Sequence, residues 1–329
     1  MNIPGATSPD FTTPPLAVTD NGIQYRALIA VTVPVVTLTS RAATITVIDI
    51  PIPPPTVSYD FNDAAVPPGA AVFGNAFVDS TGGVGDSGAI KLTVNVNSQV
   101  GSFIVNDVAA GARVCSMTAS YKVLIGGGTT PPADGMSFAW AEDLADGPFG
   151  EDGAGGGLVI SFDTYDNVDG DPNNGVGEAP AIEAHFRGVS LATNMVTTAF
   201  LNTGGQFADV IIRVESDGTL DVVYDNQIVF NNLKLPGYTG LVGGRFGWGA
   251  RTGGLNDNHW IDDVQIAVGT VCPPALSIAR NGNNVVVTFG GVLETATSIT
   301  GPWTPLAGQG SPYTTPATGP ARFFRSRTP

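Results

Sequence analysis

Lysine is nearly absent: three in 329 residues, while aspartate and glutamate number 29 and the net charge is −15. A surface of that sign repels phosphate backbones and anionic membranes, which sets nucleic acid aside as a partner. Two readings of the acidity stay open, solubility alone or an affinity for divalent cations. No apolar run reaches the roughly 18 residues of a membrane span, and the opening MNIPGATSPDF has neither the basic nor the apolar part of a leader. The start therefore reads as processed or truncated. No stretch of ten or more residues keeps the i, i+3, i+4, i+7 apolar spacing of a helix.

Catalytic patterns are missing too. The chain has only two histidines, His185 and His259, and no G-x-S-x-G elbow around any serine. The paired acids of a glycoside hydrolase strand, Glu-x-Asp-x-x-Glu, do not occur; Glu215-Ser-Asp217 is the nearest approach and precedes a turn glycine. These absences argue against an enzyme. Cysteine is limited to Cys115 and Cys272 without C-x-x-C spacing. That fits one disulfide in a secreted, extracellular or cell-surface protein, or else two buried thiols.

What is present is alternation: IKLTVNV (90–96), DVIIRVES (209–216), LDVVYD (220–225) and VVVTF (285–289). With 43 glycines and 25 prolines as punctuation, the chain reads as all-β with many short strands. Joints rich in proline separate a segment 1–50, a stiff linker PIPPP (51–55), a long β domain 56–271 and a small β module 275–329. TTPP and TTPAT are candidate O-glycosylation tracts, whereas no N-x-Ser/Thr sequon occurs.

The segment GGGLVISFDTYDNVDGDPNN (155–174) carries the densest chemistry. A strand leads into a loop with Asp163, Tyr165, Asn167, Asp169 and Asp171, the hard-oxygen set that calcium takes; an Asx-turn loop without metal is the other reading. With ADGMSFAWAEDL (133–144), FADVIIRVESDGTLDVVYDNQ (207–227) and RFGWGARTGGLNDNHWIDDVQI (245–266) in order, the domain resembles L-type (legume-like) lectins. The resemblance implies a concanavalin A-like, laminin-G-like jelly-roll sandwich. It implies one calcium held by Asp163, Asn167 and Asp171 with the Tyr165 carbonyl. It further implies a saccharide pocket lined by Asp134, Gly156, Gly157, Asn167, Arg251, Thr252, Gly253 and Asn256, with Trp248 or Phe149 stacking on a sugar ring. Ser161 stands where legume lectins carry the glutamate of a second, transition-metal ion, so one calcium is expected there. Asp60 and Asp263, near the domain's first and last strands, are candidates for a second structural cation.

Gln24–Ile50 is similar to the final strands of bacterial immunoglobulin-like domains, with Asp20, Gly22 and Tyr25 at the corner. A partial sandwich leaves apolar faces and strand edges to be covered. Hence the expectation: an extracellular structural subunit assembling head to tail with itself into a fibre or surface layer around a calcium-binding lectin-like body. The alternative is a carbohydrate-binding adhesin or polysaccharide-anchoring module that does not polymerise.

Overall fold

The computed structural model describes the chain apart from residues 1, 2, 4, 5, 9, 10, 14, 15, 17, 33, 34, 46, 48–52, 55, 169, 171–176, 273–275, 290, 320, 328 and 329. Asp169 and Asp171 of the acidic loop thus lie outside the described residues. Two compact units emerge, Met1–Ile52 and Pro53–Pro329.

The first unit contains a 3-10 turn, Val18–Asp20, and two antiparallel ladders. Gln24–Tyr25 pairs with Ala43–Thr44, and Leu28–Thr32 pairs with Val35–Thr39. Gly22 turns the chain at φ +87°, where a Cβ would be strained. Two two-stranded ladders among the described residues are too little to establish an immunoglobulin-like sheet.

In the second unit two sheets build a sandwich. One has eight strands, its middle formed by Ser116–Gly126 against Asn258–Gly269; Gln227–Lys234 lies at one edge and Phe77–Asp79 at the other, while Val57–Tyr59 pairs on Asn258–Gly269. The other has seven strands in the order Val189–Met195, Ala181–Phe186, Leu158–Asp163, Gly135–Ala141, Arg245–Arg251, Val100–Val105 and Ala70–Gly74. The period-2 pattern decides which residues meet. In Ala208–Val214 the side chains of Val210, Ile212 and Val214 are buried, while Ile211 and Arg213 on the other face are only partly so.

Gly135–Ala141 is buried at every position. Met136, Phe138 and Trp140 fill the core between the sheets, with Phe246 stacked on Trp140 at 5.8 Å. The small residues Ala139 and Ala141 face the other way, into a second cluster with Ile104, Leu144, Phe149 and Val159. That second cluster is made by the segment after the strand, which folds back over the sheet. Gly247 and Gly249 make room for it: a Cβ on Gly249 would overlap the Phe149 ring. Trp248 (0% exposed) and Phe149 (8%) are therefore core residues, so neither can stack on a sugar as the resemblance implied.

The last part of the chain forms two three-stranded sheets. In one, Leu276–Asn281, Asn284–Phe289 and Tyr313–Pro316 pair in sequence. In the other, Val292–Ala296 lies between Thr304–Pro305 and Phe323–Arg327. Glu294 accepts from Arg325 Nε at 2.6 Å and Arg327 Nε at 2.9 Å, and Arg325 lies over Trp303 at 4.6 Å. No helix among the described residues is long and apolar enough to cross a membrane.

Cys115 and Cys272 are joined in a disulfide, their Cα atoms 5.1 Å apart across 157 residues of sequence. They sit just beyond the paired ends Ser116 and Gly269 of the two central strands. Closing a loop of that length restricts the unfolded chain by roughly 4–5 kcal/mol. Unreduced protein should therefore resist alkylation, and Cys115→Ser with Cys272→Ser should lower the unfolding free energy measured in urea by an amount of that order. Two thiols alkylated in the native protein, seen by mass spectrometry, would refute the assignment.

Candidate functional site

Asp134 ends the segment that enters Gly135–Ala141, and the Ala133–Asp134 peptide is cis. Its main chain is held on both sides. Asp134 N donates to the Arg251 carbonyl at 3.0 Å, and the Asp134 carbonyl accepts from Thr164 N at 3.0 Å and Thr164 Oγ1 at 2.9 Å. The strand register makes these neighbours, pairing Gly135 with both Asp163 and Arg251. Three sequence-distant segments, 133–135, 163–167 and 251–256, thereby meet at one end of the seven-stranded sheet.

The Asp134 side chain is 11% exposed, and Oδ2 lies 3.2 Å from Arg251 Nε. Burial raises its pKa, Arg251 opposes the rise, and Glu151 and Asp152 add to it. A Cβ on Gly253 would stand 3.2 Å from both carboxylate oxygens, so the bare backbone there leaves room above them. The rest of the 251–256 loop is braced by the turn 96–99. Thr252 Oγ1 donates to the Val96 carbonyl at 2.7 Å and accepts from Gln99 N at 3.0 Å, while Ser98 N donates to the Gly253 carbonyl at 3.0 Å. Asn256 Nδ2 donates to Asn97 Oδ1 at 2.6 Å. Thr252 is 2% exposed with its hydroxyl engaged, so it supports the loop and does not line a pocket.

Gly156 and Gly157 are not brought to this place. They precede Leu158, which pairs with Trp140 five positions from the Gly135–Asp163 pair, about 17 Å away along the strand. There Gly156 N donates to Asp143 Oδ1 at 2.6 Å, and Gly157 packs on the Trp140 carbonyl so closely that no side chain fits.

Asp163 closes its strand with Oδ1 accepting from Tyr165 N at 3.1 Å. Its carboxyl is pushed up to about 8, first by burial and then by the charges of Glu151, Glu178 and Glu183. Asn167 N donates to Glu178 Oε1 at 3.2 Å. Asp166 is wholly buried; Oδ1 accepts from Val168 N at 2.8 Å, and Oδ2 has no hydrogen-bond partner among the described residues. Carboxylates gathered with so little positive charge fit a divalent cation. Among the described residues no three His, Cys, Asp or Glu side chains converge as a metal cluster. A shell here would need the Tyr165 carbonyl and the Asn167 amide beside Asp163.

The suggested second cation site is not formed among the described residues. Asp262 is buried, with Oδ2 accepting from Val84 N and Ser87 Oγ at 2.8 Å each, which ties down the 83–88 turn. Asp60 Oδ1 accepts from Asn62 N at 3.4 Å within its own turn, and Asp263 is left beside Asp262 with its pKa raised by burial first.

Residues 59–269 match the legume-like lectin family. The chain belongs to that family. The calcium-bound form of the VIP36 exoplasmic/lumenal domain is 21% identical, 66% of this chain covering 91% of that one at a TM-score of 0.50. The carbohydrate recognition domain of Emp47p is 19% identical (65% and 96% covered, TM-score 0.46), and lectin I-B4 of Griffonia simplicifolia is 17% identical (65% and 99%, TM-score 0.46). At such identities the likeness to solved structures shows the concanavalin A-like fold. No curated protein matches the chain.

This legume-like lectin has one participant that pattern reasoning missed. Glu151 accepts from Arg251 Nε at 3.1 Å and from Arg251 Nη2. Its place comes from two serines: Ser137 Oγ donates to the Gly150 carbonyl at 2.6 Å, and Ser161 Oγ donates to the Glu151 carbonyl. Ser161 thus holds the loop that delivers a carboxylate to Arg251. The only signal in the sequence is an acid pair inside the glycine-rich GEDGAGGG, and nothing in it points across 100 residues to Arg251.

His259 anchors the far side of the loop. Its Nδ1 shares a 2.7 Å hydrogen bond with Thr93 Oγ1, and burial holds its pKa down to about 3. Unfolded histidine titrates near 6.5, so below that pH unfolding takes up a proton and stability falls as pH drops toward 3. Asp257, raised to about 6 by burial, works in the opposite sense between about 3.8 and 6. His259→Gln should therefore lose less stability than wild type between pH 6.5 and 4, measured by denaturant unfolding. Equal losses in the two proteins would show that His259 is not the group responsible.

Proposed function

We propose that the sandwich is a carbohydrate-binding module of a secreted protein, with its site loop ordered by calcium. One observation carries the reading: an ionisable carboxylate, Asp134, is nearly enclosed yet accepts no side-chain or backbone donor among the described residues, beneath a residue with no side chain. A carboxylate so placed is an acceptor for vicinal hydroxyls; Arg251 beside it, and Asn167 of the loop after Asp163, would be the donors. Family membership supports this chemistry, and the VIP36 domain has been solved in calcium- and mannose-bound forms.

Asp163, the Tyr165 carbonyl, Asn167 and Asp171 are the residues that would hold the ion. It would supply the positive charge that the Asp163, Glu151, Glu178 and Glu183 group lacks. No role in catalysis follows from this set.

A second reading, self-assembly through the N-terminal segment and the module 275–329, rests on a separate feature. Leu28, Ile29 and Leu38 of the first unit are 52–55% exposed, an apolar surface suited to a partner strand. Electron microscopy of the protein with and without residues 1–50 tests it, and absence of any filament or oligomer from the intact chain excludes it.

For the sugar site, an array of neutral glycans including mannose oligosaccharides should be bound in calcium and released by chelator. Asp134→Asn should abolish binding at an unchanged melting temperature. Asp163→Ala should make the melting temperature insensitive to calcium, whereas wild type gains several degrees. Equal melting of wild type in calcium and chelator would remove the ion from the reading; no glycan retained would remove the sugar.

A further inference from the structure

The site makes two demands on Asp134: a cation beside it in a buried place, and no hydrogen-bond donor on its carboxylate among the described residues. Those demands conflict, because the cation that stabilises a buried carboxylate usually takes its lone pairs as well. Arginine is the extreme case, since its planar fork matches a carboxylate with two parallel bonds. Arg251 nonetheless leaves Asp134 open. Its Nε carries one hydrogen, and that hydrogen goes to Glu151 Oε2 at 3.1 Å while Nη2 goes to Glu151 Oε1. Asp134 Oδ2, 3.2 Å from Nε, receives the charge without the hydrogen bond.

We infer that Glu151 is a positioning residue of the saccharide site: it holds the Arg251 fork away from Asp134 so that the charged carboxylate keeps its lone pairs for hydroxyls. The inference rests on the carbohydrate reading above. Everything around Glu151 fixes where its carboxylate goes. Its side chain is 5% exposed, and its own carbonyl and that of Gly150 are pinned by Ser161 and Ser137 from neighbouring strands. Phe149 is wedged on Gly247 and Gly249, and a Cβ on Gly150 would lie 2.9 Å from Arg251 Cβ. The loop backbone therefore lies directly on the strand that carries Arg251. Remove the Glu151 charge and the nearest remaining carboxylate for the fork is Asp134.

The test is titration calorimetry in calcium with mannobiose or the array glycan bound best. Glu151→Gln should weaken binding about tenfold or more, the scale of losing hydrogen bonds to a charged group. Arg251→Gln alone should also weaken binding, since its charge serves Asp134, but added to Glu151→Gln it should cost no more than about a further threefold, because a fork already turned onto Asp134 has little left to contribute. Glu151→Asp, which keeps the charge but shortens the reach, should fall between and serves if Glu151→Gln does not fold. Losses that simply multiply in the double variant would show that the two residues act independently, and that result overturns the inference. So does a Glu151→Gln protein that binds like wild type. If wild type binds no glycan, the carbohydrate reading fails first and takes this one with it.

Discussion

Burial on both faces at the centre of the seven-stranded sheet is the constraint on which the rest depends. An antiparallel sheet with one wet face would read apolar and polar in turn. Here the three central strands alternate large with small instead. Met136, Phe138 and Trp140 point into the sandwich, and so do Leu158, Ile160 and Phe162, with Phe246 and Trp248 opposite. The positions between them are serine, alanine or glycine, with Val159 the one larger residue, and the 142–157 segment lies on that shallow surface. The covering segment is what delivers Glu151 to Arg251, so the electrostatics of the site follow from side-chain volume several residues away.

The fold was legible because periodicity is a local property. Alternation in 209–216 and 220–225, and the ordered family segments, place strands correctly without any knowledge of pairing. The site was legible only in part. Register brings the neighbourhoods of Asp134, Asp163 and Arg251 together, with Asn167 on the loop that follows, whereas Gly156 and Gly157 fall at the other end of the same strand pair. Trp248 and Phe149 look like exposed binding aromatics in a loop-rich stretch, but two glycines beside them create the space that buries Phe149. Glu151 could not be read at all, since the hydroxyls that place its loop are ordinary strand serines.

The acidity of the chain also takes a more specific meaning. Around Asp163 the carboxylates of Glu151, Glu178 and Glu183 reinforce one another, while the one arginine paired there, Arg251, is shared between Glu151 and Asp134. A net charge of −15 could have been spread evenly for solubility. Instead part of it is concentrated where two acids are buried, and such concentration raises the free energy of the empty site. On the calcium reading, a bound cation would relieve that repulsion and so couple loop order to ion concentration.

The disulfide has a mechanical meaning. A pull on the final β module enters the sandwich after Gly269, at the end of a central strand whose partner begins at Ser116. Without a cross-link, tension there would peel the two strands apart one hydrogen bond at a time, the weakest way to load a sheet. Because Cys115 and Cys272 close that end, force passes covalently into the neighbouring strand and the zipper has no free tip from which to open. A module tethered this way can be pulled on without the sandwich unravelling.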